Sequence, residues 1–423
     1  MVRAFTRAAA IAAVVLATSA ATAGASGTFL QPVHVLHTFH GPTTGKGAFF
    51  GWAVSELRDV NGDGVTDAIV GEVDGGAKMQ GRVWVYSGRT GHLLFRRSGR
   101  PGEQDGYAIA DAGDVNGDGV SDIVSGAPGQ GSDIVGHAYV YSGADGGTIV
   151  RLRGHRHGDM FGAAVSSAGD VNGDGVPDLL VGAPGTGAAS GHAYVISGRT
   201  FRTIRVLSAH RRGDEFGDGV ARTADLNGDG MPDLIVGASG KNPGHGAAYV
   251  YSGRTGRLLF RIPGEPGNAA FGQFFVAGVG DVNGDGAPDV YVGDYASNNA
   301  GRAGGFAAVY SGVDGARLHA WRGAAGEGMG PGRSAGDVNG DGVPDIIVGN
   351  YTSSDGASAA GKVQIFSGAT GKRLRTITSA TANENLGFDA VGIGDTNGNG
   401  TPDFLISAAN LDTVYIVDGS PLG

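Results

Sequence analysis

One nine-residue stretch of the chain carries side chains that could bind a metal ion. It reads DVNGDGVPD at residues 170–178, and oxygen-bearing side chains stand at its first, third, fifth and ninth positions. Glycines between them permit the tight turn with positive φ that would aim these oxygens at one point, and the carbonyl of the seventh residue could add a backbone oxygen. Calcium takes about 6 to 8 oxygen ligands of this kind, whereas magnesium keeps several waters and zinc prefers sulfur or histidine. The stretch therefore predicts a calcium loop.

The stretch recurs seven times, in steps of 55 to 58 residues. A chance turn would explain one copy, but not seven that all keep the first, third and ninth residue, so we predict up to seven calcium ions. The predicted ligands, by copy, are Asp59, Asn61, Asp63, Val65 and Asp67; Asp114, Asn116, Asp118, Val120 and Asp122; Asp170, Asn172, Asp174, Val176 and Asp178; Asp225, Asn227, Asp229, Met231 and Asp233; Asp281, Asn283, Asp285, Ala287 and Asp289; Asp337, Asn339, Asp341, Val343 and Asp345; Asp395, Asn397, Asn399, Thr401 and Asp403. The last copy has Asn399 at the fifth position and hence one carboxylate fewer, so we expect it to bind most weakly.

The residues around each loop predict strands rather than helices. An EF-hand or dockerin-type loop closes its site at position 12, but that position in the third copy is Val181, inside an apolar run that is typical of a buried strand. The third unit reads as four strands over 161–170, 178–185, 191–198 and 202–209, with the loop joining the first two. Seven such units at a fixed period predict an all-β fold, a seven-bladed β-propeller of four-stranded antiparallel blades.

The two ends of the chain predict how the ring closes. The seventh unit has strands at 404–410 and 412–419 but no fourth strand, whereas an orphan strand at 32–41 precedes the first unit. That orphan resembles the fourth strands at 89–99 and 254–264 in its place before the next unit. We therefore expect the N-terminal strand to complete the last blade, which would remove the open sheet edges.

Composition and the N-terminus predict an exported protein. Residues 1–23 carry Arg3 and Arg7, an apolar run and a small-residue cleavage site, as a signal peptide does, which leaves 24–423 as a single propeller domain. The formal charge is −10, and the seven loops hold 20 carboxylates, three in each of six and two in the last. The negative charge of the chain is therefore mostly that of the predicted metal ligands. Nothing indicates a basic nucleic-acid surface or a membrane span. With no cysteine, metal loops could replace disulfides, and we expect a secreted or cell-surface monomer.

The units resemble FG-GAP repeats, the units of the integrin α N-terminal propeller. The FG element stands at 50–51, 161–162, 216–217 and 271–272 and drifts to 107–108, 329–330 and 386–387, while GAP is intact at 126–128 and 182–184. The resemblance covers nearly all of the chain after the leader and implies seven blades with calcium in the loops between first and second strands. In integrins only some blades carry the loop, whereas all seven do here, so integrin-type adhesion does not transfer directly.

The metal loops and the turns between third and fourth strands should share one face of the propeller, which we call the loop face. The opposite face would carry the ligand, an extracellular protein or glycan. Its loops at 73–80, 238–245, 294–304 and 350–360 are unequal, and the last two offer Tyr295, Asn298, Asn299, Tyr351 and Asp355 as a possible rim for sugar or peptide. Ordinary solvated loops remain the plainer interpretation. The tripeptide Arg212-Gly213-Asp214 is explained by local composition, and the histidines beside fourth strands by edge-strand surface.

No catalytic motif appears, so a calcium-binding, adhesive module is the predicted function. The alternative is a propeller lyase or hydrolase acting on extracellular polysaccharide, since the fold does not exclude catalysis. The central opening of the opposite face discriminates the two. A cluster of histidine, arginine and acidic side chains there would favour an enzyme, and an aromatic lining would favour binding.

Overall fold

The chain forms seven four-stranded antiparallel sheets. The computed structural model describes residues 28–42, 47–129, 135–185, 191–208, 213–240 and 245–420. Blades 1 to 3 are β2 (Phe50–Leu57), β3 (Asp67–Glu72), β4 (Arg82–Tyr86) and β5 (Leu93–Ser98); β6 (Ala108–Gly113), β7 (Asp122–Ala127), β8 (His137–Tyr141) and β9 (Thr148–Arg153); β10 (Ala164–Gly169), β11 (Asp178–Ala183), β12 (His192–Ile196) and β13 (Thr203–Ser208). Blades 4 to 6 are β14 (Phe216–Thr223), β15 (Asp233–Ala238), β16 (Ala247–Tyr251) and β17 (Leu258–Pro263); β18 (Val276–Gly280), β19 (Asp289–Asp294), β20 (Phe306–Tyr310) and β21 (Arg317–Arg322); β22 (Met329–Gly336), β23 (Asp345–Asn350), β24 (Lys362–Phe366) and β25 (Arg373–Thr378). Blade 7 combines β26 (Ala390–Gly394), β27 (Asp403–Ala408) and β28 (Thr413–Val417) with β1 (Val35–His40).

The first strands of successive blades contact one another in a closed circle, from β2 through β6, β10, β14, β18 and β22 to β26 and back to β2. These strands therefore surround the axis, and the fourth strands form the outer rim. The predicted seven-bladed propeller is confirmed, and the four strands predicted for the third unit lie where the sequence placed them. In each blade the second strand is buried along its whole length, as its continuous apolar run indicates.

The N-terminal strand closes the ring as predicted. β1 pairs antiparallel with β28, with Val35 opposite Val417 and His40 opposite Thr413. Phe39 from β1 packs in one buried cluster with Phe50 of the first blade. First and last blades are thus joined by both a ladder of hydrogen bonds and an apolar core.

The FG and GAP glycines meet where one blade packs on the next. A Cβ added to Gly182 in the second strand of blade 3 would lie 2.0 Å from the carbonyl oxygen of Gly217 in the first strand of blade 4. The same close approach joins Gly126 to the Gly162 carbonyl. Since no side chain fits at that distance, the two motifs are the two halves of one backbone contact between blades.

The structure corrects the alignment of the FG element in blade 2. The sequence suggested Tyr107 and Ala108, but a Cβ on Gly71 would meet the Gly106 carbonyl at 2.2 Å, and Asp105 pairs with Gly81 as Phe161 pairs with Gly136 in blade 3. Asp105 and Gly106 therefore hold the place of Phe and Gly, and an aspartate occupies an apolar slot.

In the described part of the chain, no helix is long and apolar enough to cross a membrane. The predicted signal peptide, residues 1–23, lies outside the described residues. One short 3-10 turn, Ala409–Leu411, precedes β28.

Candidate metal centres and the axial cavity

The first aspartate of each loop is the centre about which that loop folds. In the third copy Asp170 accepts hydrogen bonds from the backbone N–H groups of Gly173, Asp174 and Gly175, at 2.7 to 3.1 Å. The glycines at the fourth and sixth positions adopt positive φ in every copy, 77° and 83° here, as the sequence predicted. Equivalent bonds form at Asp59, Asp114, Asp225, Asp281, Asp337 and Asp395.

The ninth residue ties the loop to the turn between the third and fourth strands. Asp178 accepts the N–H of Val171 from its own loop and the N–H of Gly198 from that turn, each at 3.1 Å. All seven ninth-position aspartates are fully buried and make the same two bonds. Burial, together with the charges of Asp174 and Asp170, raises the pKa of Asp178 to about 6. The pocket thus holds more negative charge than its hydrogen bonds neutralise.

The asparagine at the third position lies between the other side chains of the loop. In the second copy Asn116 Nδ2 donates to Asp118 Oδ2 at 2.9 Å and to Asp122 Oδ1 at 3.4 Å. The fifth- and ninth-position carboxylates therefore face one point, which an amide N–H now fills. In six of the copies this asparagine contacts the ninth residue, and in the fifth it contacts only Asp285.

The donor chemistry fits calcium, although the carboxylates alone do not form a cage. Among the described residues, no three histidine, cysteine or acidic side chains are grouped as a metal site. The asparagine explains this, because its Nδ2 separates the carboxylates that would otherwise converge. An amide also carries an oxygen, so the asparagine could turn its Oδ1 toward a metal ion where its Nδ2 now donates hydrogen bonds. Asp, Asn and backbone oxygens are the ligand set that calcium takes.

The seventh loop differs in a way that the loop sequence alone does not reveal. Asn399 Nδ2 donates to Asp418 Oδ1 at 3.1 Å, where the turns of three other blades place serines such as Ser87 against the fifth-position aspartate. Asp418 Oδ2 also lies 3.0 Å from His34 Nδ1 of the closing strand. Although burial opposes it, the hydrogen bonds from Ser420 and His34 lower the pKa of Asp418 to about 2. A third carboxylate therefore lies beside the seventh loop, outside the loop sequence on which the expectation of weakest binding was based, and that expectation stays a prediction.

On the opposite face, the partners of the buried acids differ from blade to blade and include many side chains; Asp294, by contrast, accepts the backbone N–H groups of Ala269, Ala270 and Ala296. Asp105 accepts hydrogen bonds from Ser125 Oγ at 2.6 Å and Tyr141 Oη at 2.7 Å. Burial raises its pKa to about 6. Comparable networks centre on Glu72, Glu103, Glu327 and Glu384. Tyrosine, tryptophan, arginine and lysine from neighbouring segments supply their donors, so these acids hold adjacent segments together.

A cavity of about 930 Å³ runs along the propeller axis. Each first strand begins at the opposite face and ends at the loop face, so residues early in those strands line one end of the cavity and late residues line the other. The opposite-face end is aromatic, with Trp52, Tyr107, Phe274, Tyr351 and Phe388 among its lining. By the criterion set above, this lining favours binding over catalysis.

Between the aromatic residues and the loop face the cavity is ionic, a feature that sequence reasoning missed. Six ionisable side chains line it, namely Glu56, Arg58, Asp111, Arg222, Arg333 and Asp389. For three of them, Glu56, Asp111 and Arg222, the signal available in the sequence was a charged residue three positions before a loop, where the other units have serine or glycine. Only the fold shows that these positions face one another across the axis.

The structure relocates part of the predicted rim. Tyr295 and Tyr351 turn toward the axis, with ring centroids 6.3 Å apart, and both line the cavity, so they do not form an exposed rim. Asn298 is exposed on its loop, whereas Asn299 is half-buried. Asp355 accepts a hydrogen bond from Lys362 Nζ at 2.7 Å. The segments at 209–212 and 241–244, including Arg212, lie outside the described residues.

Comparisons with known proteins agree with this architecture. The FG-GAP-like repeat family model matches residues 59–125 and 225–292, and the FG-GAP repeat model matches 161–196 and 334–366. The chain is 29% identical to integrin alpha-4 of Xenopus laevis over 256 residues, which is 56% of this chain and 24% of that protein. It is 32% identical to integrin alpha-V of Gallus gallus over 212 residues, 46% of this chain and 20% of that protein. The matches thus span about a quarter or less of these relatives.

A solved structure supports the fold alone. The structure of the Dos1 propeller superposes with a TM-score of 0.52 at 10% sequence identity, and the match covers 85% of this chain and 77% of that one.

Proposed function

Because this chain is an FG-GAP-repeat β-propeller of the integrin α-like kind, we propose that it is an extracellular binding module whose loops hold calcium and whose opposite face holds the ligand. The observation that carries the proposal is that the loop face and the opposite face are built differently. On the loop face, the first and ninth aspartates are committed to the geometry of loops and turns in all seven blades. The opposite face keeps unequal loops with exposed polar side chains.

Calcium would be held by the aspartates at positions one, five and nine, the asparagine at position three and the carbonyl at position seven of each loop. Bound calcium supplies positive charge among carboxylates that repel one another. The chain's own part is to fold each loop around its first aspartate, as Asp170 does with three N–H groups. The ninth aspartate then passes that order to the turn beside it, since it bonds to both.

The ligand surface comprises the exposed loops of blades 5 and 6 on the opposite face. Asn298 and Arg302 are exposed there, and Asp355 keeps 56% of its side-chain area accessible. Such a surface, mixed in charge and supported by a rigid disc, suits an extracellular protein or a glycan. Export through the N-terminal leader belongs to this proposal.

The enzymatic alternative receives less support. Histidine is absent from the lining of the described cavity, and the carboxylates of Asp111 and Asp389 are paired with Arg58 and Arg333. A general acid or base must be within reach of a substrate proton. These pairings leave Glu56 as the carboxyl group that no described cation pairs.

The test is a binding screen of the chain after the leader against extracellular-matrix proteins and glycans, in calcium. A hit is then measured with an Asn298→Ala/Arg302→Ala variant and with Lys372→Ala as the matched control, because Lys372 is exposed on a turn of the loop face. We expect the double variant to weaken binding at least about tenfold, the effect of losing a few polar contacts. If only the Lys372→Ala control weakened binding, the ligand would lie on the loop face, which would contradict the proposal.

A further inference from the structure

The aromatic end of the axial cavity is a closed circuit of rings. Trp52 contacts Tyr107 at 5.5 Å between ring centroids and Phe388 at 5.2 Å. Tyr107 reaches Phe274 at 6.2 Å, and Tyr351 reaches Phe388 at 5.5 Å. Phe275 and Tyr295 complete the circuit between Phe274 and Tyr351. We call these seven side chains the aromatic girdle.

One buried polar atom of the girdle has no partner among the described residues. The Tyr107 hydroxyl is buried, with 8% of the residue exposed, and among the described residues it forms no hydrogen bond. Burial raises the pKa of Tyr107 well above its ordinary value, so the hydroxyl stays protonated and able to donate. A buried hydroxyl without a partner costs about 1 to 3 kcal/mol. A bound molecule with a hydrogen-bonding group at this level of the cavity would remove that cost.

The ionic end of the cavity has two matched pairs and one unmatched cation. Arg333 lies 3.0 Å from Asp389, and Arg58 lies 3.6 Å from Asp111. Arg222 forms neither a hydrogen bond nor an ion pair with any described residue, although it lines the same cavity. Burial and the neighbouring charge of Arg58 lower the pKa of Arg222, although the charges of Asp111 and Glu56 oppose the shift.

The third carboxyl group at this end, Glu56, forms no ion pair with Arg222. Glu56 forms no ion pair with any described residue, and its enclosure in the cavity raises its pKa although the charge of Arg333 opposes the shift. An incoming carboxylate would therefore find an available guanidinium with five N–H donors. Arginine binds carboxylates through two parallel hydrogen bonds, which gives both strength and orientation.

We propose that the axial cavity binds a short acidic oligosaccharide, whose uronate carboxylate pairs with Arg222 and whose neighbouring sugar ring lies in the aromatic girdle against Tyr107. Sugar rings present apolar C–H faces to aromatic rings and hydroxyls at their edges, which suits a girdle with one unpartnered hydroxyl. Tyr107 and Asp218 each follow the FG glycine of their blade, so they lie at the same level of the cavity. Arg222 lies four residues beyond Asp218 on the same strand. Four residues of strand cover about 13 Å, so two or three sugar units would span both ends.

An acidic peptide fits the same space less well. A peptide would bring backbone N–H and C=O groups among the girdle side chains, whose polar atoms are three tyrosine hydroxyls and one indole N–H, and buried backbone groups require partners. Sugar hydroxyls project from the ring edges and leave the faces apolar. This site lies within the channel and does not depend on the ligand of the opposite-face loops.

The experiment measures binding of uronic-acid trisaccharides, with neutral trisaccharides of matched linkage as reference, by calorimetry and by tryptophan fluorescence. Trp52 lies in the girdle and serves as the reporter. We expect saturable binding of an acidic trisaccharide, at least about tenfold tighter than its neutral counterpart, because a bidentate arginine–carboxylate pair is lost in the latter. Binding of the neutral sugar with equal affinity, or of neither sugar at millimolar concentration, would overturn the proposal.

Two variants test the named residues. Arg222→Met should weaken the acidic sugar at least about tenfold and leave the neutral one unchanged, whereas Tyr107→Phe should weaken both a few-fold, since it keeps the ring and removes one hydrogen bond. Arg96→Met is the matched control, because Arg96 stacks on Trp84 outside the cavity, 4.8 Å from its ring centre. Melting curves identify any variant that fails to fold. Undiminished binding by Arg222→Met, or displacement of the sugar by an acidic peptide at lower concentration, contradicts the assignment.

Discussion

The two faces of the propeller neutralise their buried acids in different ways. On the loop face, the ninth-position aspartates all accept hydrogen bonds from one loop N–H and one turn N–H, as Asp178 does from Val171 and Gly198. On the opposite face, each buried acid has its own partners, such as Tyr141 and Ser125 for Asp105. The loop face repeats the same two backbone hydrogen bonds in every blade, whereas the opposite face uses partners that differ from blade to blade.

The difference separates what the repeat unit carries from what the ring requires. A loop closes within one unit and needs only its own residues and the adjacent turn, so seven copies keep the same sequence. The opposite-face networks join segments that differ from blade to blade, so their residues vary. If calcium occupies the loops, the loop face should respond to both metal and pH, whereas the opposite face should respond to pH alone.

Removal of calcium should have the largest effect. Each ion bound only by the folded state contributes about 2.7 kcal/mol at a free concentration one hundred times its Kd, and up to seven loops contribute. We expect a lower melting temperature in EDTA than in calcium at neutral pH, measured by calorimetry. Magnesium at the same concentration is the control and should restore less, since it keeps its waters. Identical melting in EDTA and calcium would remove the metal from the loop face.

The second prediction concerns pH and the opposite face. Asp105 has a pKa of about 6 in the folded protein against an ordinary 3.8, because burial disfavours its charge. Between these values the folded state binds more protons than the unfolded state, so this group's contribution to the unfolding free energy falls as pH rises from about 4 to 6. The loss is on the order of 2 to 3 kcal/mol.

The Asp105→Asn variant isolates that contribution. Its amide does not titrate, so the difference in unfolding free energy between the two proteins should change across pH 4 to 6 and stay constant above pH 7. Denaturant unfolding at fixed calcium measures it, and the titration of the loop carboxylates cancels in the difference. Parallel pH profiles for the two proteins would mean that Asp105 is charged in the fold at all these pH values.

A third prediction compares one loop with and without metal. Asp178→Asn removes a carboxylate that accepts two N–H groups, at a cost of about 2 kcal/mol in calcium. In EDTA the cost should be smaller, because the buried charge no longer repels Asp170 and Asp174. Thermal melting of both proteins under both conditions gives the four values. An equal cost in calcium and EDTA would show a purely structural role for Asp178.

The same division explains what the sequence could and could not predict. Seven blades, the loops and the closing strand followed from the repeat, because a contact that recurs in each unit leaves a recurring pattern. The FG element of blade 2 was placed at Tyr107 because Asp105 replaces the expected aromatic residue, and only the glycine contact with Gly71 reveals the register. The axial cavity was missed because Arg222 and its neighbours come from different blades and meet only across the axis.

The smallest predicted effect concerns the seventh loop, in which an asparagine replaces the fifth-position aspartate. In three blades a serine of the adjacent turn donates to the fifth-position aspartate, namely Ser87 to Asp63, Ser252 to Asp229 and Ser311 to Asp285, whereas in the seventh Asn399 donates to Asp418 at 3.1 Å. If the carboxylate has only moved from loop to turn, Asp418→Ser alone should reduce the calcium affinity of that site about tenfold, equivalent to about 1.4 kcal/mol. The number of tightly bound ions, measured by calorimetric titration, should fall by one.

The double variant Asn399→Asp/Asp418→Ser decides whether position or charge matters. It gives the seventh blade the arrangement of blade 1, where Asp63 Oδ2 lies 3.2 Å from Ser87 Oγ. Recovery of the lost ion would show that the two arrangements are equivalent.

However, Asp418 also contacts His34 at 3.0 Å, so the swap removes a contact between the closing strand and the segment that follows the last strand. His34→Ala in the native background measures that contact alone, and a melting temperature lowered equally by His34→Ala and by the double variant would assign Asp418 to ring closure as well as to metal. If the ion count does not fall in Asp418→Ser, Asp418 serves closure only, and the seventh loop binds with two carboxylates.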